Sequence, residues 1–153
     1  MLKPEIFKTI VKNAPLVSID ICLIFEGQLL LAMRNNQPLK GKWFTPGGRI
    51  NKNETWKNAL LRIVNVELGI SNAVVDEFTF MGIYDHFYLN SVFNSEISTH
   101  YVNLPHFLNL TSRPKVTLDN QHADFKWFSL ELLLSDESFH PYVKSYAELL
   151  LNK

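Results

Sequence analysis

Two short stretches of this chain hold the residue types that can do chemistry. The first runs Gly47-Gly48-Arg49-Ile50-Asn51-Lys52-Asn53-Glu54, passes seven residues, and resumes as Arg62-Ile63-Val64-Asn65-Val66-Glu67-Leu68-Gly69-Ile70. The second is Asp119-Asn120-Gln121-His122. Glu67 offers carboxylate oxygens, the donor that a hard cation such as Mg²⁺ takes together with water and phosphate oxygens. Arg34 and Arg49 carry planar forks that match two phosphate oxygens at once. Taken singly, these residues have plain readings. Glu67 alone is a solvated residue near a helix end, and His122 alone is a histidine on an exposed loop. Asp20 and His86 alone are strand-end residues that satisfy backbone groups.

The surrounding pattern supplies elements to position them. Pro4 to Lys12 reads as a short amphipathic helix ended by Pro15. Leu16–Phe25 is a strongly apolar strand, Glu26-Gly27 a turn, and Gln28–Met33 the returning strand of a hairpin. Arg34 to Lys42 is a polar loop, and Pro46-Gly47-Gly48-Arg49 a compact turn. Apolar spacing predicts a helix from about Glu54 to Leu68, with Asn53 as its N-cap and Gly69 as its terminator. Phe78–Leu89 and Ile97–Leu110 read as strands joined by the loop Asn90–Glu96. Lys115–Asp124 reads as irregular, Phe125–Phe128 as a brief strand, and Leu130–Leu134 and His140–Leu151 as helices. Strands on both sides of the central helix, without regular βαβ spacing, imply an α/β architecture with a mixed sheet between helices. At 153 residues the chain reads as one domain, residues 1–153, with no repeat or linker.

The glycine–glutamate–arginine–glutamate spacing resembles the Nudix box, Gly-x5-Glu-x7-Arg-Glu-U-x-Glu-Glu-x-Gly-U, with U a bulky apolar residue. Gly48, Glu54, Arg62, Val64, Glu67, Gly69 and Ile70 fall at the required positions, with Trp43 and Pro46-Gly47 upstream as in the family. A full box sets carboxylates at i, i+3 and i+4 on one helical face. Here the first two of those positions are Ile63 and Val66, which leaves Glu67 alone on that face. Such a box is not equipped for a cluster of several ions, though one Mg²⁺ is feasible. Pro15-Leu-Val-Ser-Ile-Asp20, Tyr84-Asp-His86-Phe-Tyr88, Thr99-His-Tyr101 and Asp119-Asn-Gln-His122 resemble one subfamily, GDP-mannose mannosyl hydrolase. That subfamily is itself marked by a box reduced to one metal-binding glutamate.

The resemblance implies a Nudix fold and Mg²⁺-dependent hydrolysis of a GDP-sugar, by water attack on the anomeric carbon with inversion. GDP-mannose is the leading substrate and GDP-glucose an alternative. It implies Mg²⁺ held by the Gly47 carbonyl, Glu67 and Gln121, with His122 as general base, since an imidazole titrates near working pH. Arg34, Arg49 and Tyr101 would bind and neutralise the diphosphate, while Asp20 and His86 would lie at the sugar pocket. Glu54 and Arg62 read as structural supports. An acidic residue often follows the family's histidine. Ala123 stands there instead, with Asp124 a possible substitute. Two rival functions remain: a pyrophosphohydrolase that attacks phosphorus, and a silent domain that senses nucleotide sugars.

Composition sets outer bounds. Fifteen basic and fifteen acidic residues leave no basic excess for nucleic acid. The lone cysteine, Cys22, excludes an internal disulfide framework and reads as a buried strand residue. No apolar run suits a membrane span, so a soluble cytoplasmic domain is expected, with a homodimer implied by family resemblance. Nothing resembles a Ser/His/Asp triad, a P-loop or a dinucleotide fingerprint.

Overall fold

The computed structural model describes residues 1–119 and 122–153; the side chain of Ala123 is outside that description. Pro4 opens the first helix, α1 (Pro4–Asn13), where its missing N–H costs nothing. The two strands after it form the expected hairpin: β1 (Leu16–Phe25) pairs antiparallel with β2 (Gln28–Arg34) around Glu26-Gly27, both at positive φ. Two short strands follow, β3 (Trp43–Phe44) and β4 (Gly47–Arg49), then α2 (Trp56–Leu68).

β1 is the spine of the sheet, and it changes partners midway. Its first half pairs with β4, Ser18–Asp20 against Arg49–Gly47, and in parallel with β7 (Thr99–Asn103). Its second half pairs in parallel with β8 (His106–Asn109) and then with β2. The sheet therefore forks at Asp20. β6 (Tyr84–Tyr88) lies beyond β7, β5 (Thr79–Phe80) beyond β8, and β9 (His122–Ser129) beyond β2. The chain ends in α3 (Leu130–Ser135) and α4 (Pro141–Leu151).

Alternation along β1 and β2 divides the core. Ile19, Ile21, Leu23 and Leu30 pack with Ala59, Leu60, Ile63 and Val64 of α2. Cys22, Ile24, Leu29 and Leu31 pack with Leu130, Leu133, Val143 and Ala147 of α3 and α4. Helices thus cover both sides of a mixed sheet, the α/β layering that the sequence implied. Cys22 is buried, as expected.

Several element boundaries differ from expectation, each for a definable reason. The N-cap of α2 is Thr55, whose hydroxyl accepts from Asn58 N at 3.2 Å; Asn53 instead turns the loop at a φ of 66°. The aromatic run 78–89 is two strands, parted at Met81–Ile83, where Gly82 has a φ of 111°. The run 97–110 is likewise parted at Leu104-Pro105, because β7 and β8 serve different halves of β1 and proline has no N–H for a ladder. β9 begins at His122, three residues before the expected strand, since it follows β2 along its whole length. Gly69 ends α2 in the left-handed region at a φ of 70°, as expected. No described helix is long and apolar enough to cross a membrane.

Candidate active site

The loop that precedes α2 is locked by a single arginine. Arg62 Nε donates to Glu54 Oε2 at 2.7 Å, and its Nη2 donates to Glu54 Oε1 at 2.9 Å and to the Arg49 carbonyl at 2.7 Å. Glu54 Oε1 also accepts from Asn51 N at 3.0 Å. This pair holds the Glu54 carboxyl below its usual range. Glu54 and Arg62 are therefore occupied with each other and with the loop, in keeping with a supporting role.

Glu67 lies one turn further along α2 and is buried. Two residues from the other end of the chain join it. Asp119, in the loop before β9, and His122, the first residue of β9, offer ligand atoms that with Glu67 all fall within 4.8 Å of one another. His122 Nδ1 is 2.7 Å from Asp119 Oδ1 and 3.3 Å from Glu67 Oε2. Burial and the neighbouring Asp119 push the Glu67 carboxyl up to about 8, against the opposing charges of Arg34 and Arg62. Glu67 Oε2 and His122 Nε2 are both buried with no hydrogen-bond partner among the described residues. Two carboxylates brought together in a buried pocket repel each other, and oxygen donors suit a hard divalent cation. These residues could hold a divalent metal ion.

That arrangement corrects one reading of the sequence. The α2 face does carry Glu67 alone, but the pocket does not: Asp119 supplies a second carboxylate from outside the box. It is also Asp119, not Asp124, that stands against the His122 imidazole, because Asp124 is exposed and its Oδ1 accepts from Phe125 N at 2.8 Å. Gln121, expected as a ligand, lies outside the described residues.

A second polar cluster fills the fork in the sheet. Asp20 is buried, and its Oδ2 accepts from Asn103 Nδ2 and from the Tyr146 hydroxyl, each at 2.7 Å. Where β1 changes partners, Asp20 N donates to Asn103 Oδ1 at 3.2 Å in place of a strand neighbour. Burial raises the Asp20 carboxyl to about 6, against these hydrogen bonds. His86 is 1% exposed and stacks flat on Tyr142, ring centroids 4.0 Å apart and planes 5° apart. The Tyr142 hydroxyl in turn accepts from Phe87 N at 2.9 Å and donates to Phe87 O at 3.2 Å. Burial lowers the His86 imidazole to about 4, so it is neutral at ordinary pH. Asp20 and His86 are thus brought together, but enclosed, with their polar atoms turned to Asn103 and Tyr146.

Arg34 connects the two clusters. It ends β2, in register with His122 across a bulge, and its Nε donates to Pro38 O at 2.8 Å. Its charge reaches Glu67, Asp20, Tyr88 and Tyr101. Tyr101 meets Tyr88 edge-on at 6.2 Å and senses both Arg34 and Arg49, whereas His100 pairs with Asp85 at 3.0 Å across β6. That opposite pairing matches the alternation expected of a strand. Burial pushes the Tyr101 phenol up and keeps it neutral. Arg49 lies with its guanidinium 4.0 Å over the Phe7 ring of α1. Gly47 packs against Asp20, where an added Cβ would stand 2.5 Å from Oδ1.

Sequence reasoning gave no role to Asp119, Asn103, Tyr142 or Tyr146. Asp119 had a signal, its i−3 position to His122. The other three had none, since Tyr146 is 126 positions from its partner Asp20.

Comparison with known proteins places the fold. The Low-salt glycan biosynthesis protein Agl8 of Haloferax volcanii is 36% identical over 144 residues, covering 94% of this chain and 87% of that protein. The crystal structure of a MutT NUDIX hydrolase from Burkholderia pseudomallei superposes with a TM-score of 0.71 at 23% identity, covering 90% of this chain and 99% of the other. The NUDIX domain of Shewanella oneidensis NrtR, solved as a complex with ADP ribose, gives 0.69 at 18% identity, covering 99% and 92%. Those two likenesses concern the fold. The family model for the NUDIX domain matches residues 15–150, nearly the whole chain, and with the box loop and the mixed sheet in place this chain belongs to the NUDIX hydrolase family.

Proposed function

We propose that this NUDIX hydrolase cleaves a GDP-sugar, GDP-mannose foremost, between sugar and diphosphate, so that water attacks the anomeric carbon with inversion and GDP leaves. The observation that carries this reading is the composition of the pocket. Only one carboxylate projects from the α2 face, and an imidazole held by a carboxylate stands beside it. An enzyme that attacks phosphorus gains from several cations that activate water there. A pocket with two carboxylates and a histidine suits a different division of labour.

Glu67 and Asp119, with the Gly47 carbonyl and Gln121 by family resemblance, would hold Mg²⁺. Bound there, the ion would supply charge stabilisation to the departing diphosphate. The chain's own residues supply the rest. With Nδ1 donating to Asp119, His122 presents Nε2 as the free base that takes a proton from the attacking water. A carboxylate at Nδ1 fixes the tautomer and the orientation of the ring. Arg34 and Arg49 provide cations for diphosphate oxygens, and neutral Tyr101, within the field of both, provides an O–H donor. Asp20 and His86 form the floor under the sugar and keep it dry. The name of Agl8 refers to glycan biosynthesis, a process whose activated donors are nucleotide sugars, which favours this substrate class. On the same reading the chain works as a homodimer, which sedimentation velocity tests directly.

Product analysis decides between this reaction and attack on phosphorus. GDP and free sugar are expected, with ¹⁸O from labelled water in the sugar; GMP and sugar 1-phosphate would refute the proposal. Tight GDP-sugar binding with Mg²⁺ present but no turnover would establish the sensor reading instead.

A further inference from the structure

The C-terminal helix has no part in the box, yet it reaches the site. Tyr146 is fully buried in α4, its ring held edge-on to Tyr84 at 5.3 Å. Its hydroxyl and Asn103 Nδ2 both donate to one oxygen of Asp20, Oδ2, at 2.7 Å each. That choice determines where the other oxygen points. Oδ1 is turned to Gly47, so closely that no side chain is tolerated at that position. Asp20 and Gly47 are register partners, and the preceding Pro46 O accepts from Ile21 N at 2.8 Å. A line of direct contacts thus runs from the α4 phenol, through one carboxylate, to the glycine that begins the box loop.

We propose that Tyr146 is a positioning residue: its hydroxyl orients the Asp20 carboxylate, which in turn holds Gly47 at the rim of the cation pocket. The ring and the hydroxyl do separate jobs. The ring fills the core between α4 and β1, which a phenylalanine would do equally well. The hydroxyl, together with Asn103 Nδ2, is what selects one orientation of the carboxylate. Asp20 is 6% exposed, so a carboxylate that lost this donor has almost no water to replace it. It would turn as Oδ2 sought a new donor, and Gly47, packed against the other oxygen, would move with it.

This inference uses the proposed function only in placing Gly47 at the pocket, and its test reads both independently. Tyr146→Phe in the full chain is compared with wild type by ¹H–¹⁵N spectra without metal. The Gly47 and Gly48 amide peaks are expected to shift or broaden, while those of Lys57 and Asn58, remote on α2, stay in place. Turnover is then measured on whichever nucleotide substrate the wild-type protein hydrolyses, so that a wrong sugar or a wrong bond leaves this test intact. A kcat lowered roughly tenfold is expected, the effect of one hydrogen bond to a charged group, with KM within about twofold. In an Asp20→Asn background the same substitution is expected to change kcat by less than about twofold, because its target is already altered. Unmoved Gly47 peaks, a wild-type kcat in Tyr146→Phe, or equal losses in both backgrounds would each overturn the proposal.

Discussion

The adjoining glycines Gly47 and Gly48 offer a sharp trial of the site geometry, because the same substitution is expected to act very differently at each. Neither has a positive φ, so backbone freedom is not what requires glycine; space is. A Cβ at Gly47 would lie 2.5 Å from Asp20 Oδ1 and 2.7 Å from the Ile19 carbonyl oxygen. Ordinary contact begins near 3.4 Å, so about 0.9 Å must be found, and one of the two obstacles is main chain. Either β4 withdraws from β1, or Asp20 rotates away from Tyr146 and Asn103. Overpacking of this kind costs about 1–3 kcal/mol, and each hydrogen bond to a carboxylate adds about 1.5–3 kcal/mol if lost. Gly47→Ala is therefore expected to destabilise by about 3 kcal/mol and to abolish most turnover. At Gly48 the nearest atom is Ile63 Cγ1 at 3.1 Å, a side-chain atom that yields by a few tenths of an ångström. Gly48→Ala is expected to cost less than about 1 kcal/mol. Urea denaturation, with the m-value checked for constancy, measures both. Equal stabilities for the two variants would refute the packing described for Asp20 and Gly47.

Other outcomes follow from the same geometry. Arg62→Met and Glu54→Gln, placed in a double-mutant cycle, are expected to couple by about 1–2 kcal/mol, above an exposed ion pair because the contact is bidentate and tied to Arg49 O; additive costs would exclude that. His122→Ala is expected to lower turnover by about 10²–10⁴-fold, the usual worth of a general base, with Mg²⁺ affinity little changed by calorimetry; unchanged turnover would remove it from the reaction. Glu67→Gln is expected to weaken the Mg²⁺ requirement, and an unaltered metal titration would contradict its place in the pocket. Stability against pH offers a further check. Asp20, raised to about 6 in the fold, contributes stability that is present below its unfolded value of 3.8 and is lost as pH rises through 6. His86, lowered to about 4, contributes stability that is present above its unfolded value of 6.5 and is lost as pH falls through 4. The two oppose each other between pH 4 and 6.5, where Glu67, raised to about 8, adds a fall of its own; relative to wild type, Asp20→Asn is therefore expected to tilt the stability curve upward with pH there, and His86→Phe to tilt it downward. Parallel curves for both variants would refute these shifts.

What could be read along the chain was whatever depends on near neighbours. The β1–β2 hairpin follows from a ten-residue apolar run and Glu26-Gly27, and the end of α2 from Gly69, because turns and caps are made by residues within a few positions of each other. The box spacing is of the same kind: Glu54 and Arg62 are eight apart, and the ion pair between them is a helix-start contact. Where element ends depended on a distant partner, local pattern was a poor guide. The aromatic runs 78–89 and 97–110 look continuous, but each is divided to serve two halves of β1. β9 extends to His122 because β2 was there to pair with it.

The amino-acid sequence by itself determined the family, the helix–loop frame of the box, and the loss of two carboxylates from the α2 face. Tertiary structure alone decided that Glu67 does not stand alone. Asp119 comes to it from 52 positions away along the chain, and Tyr146 comes to Asp20 from still further. Each such meeting is bought with the folding of everything between, so no rule of local spacing can register it. The charge of the pocket, the orientation of its imidazole and the direction in which Asp20 points are properties of that closure.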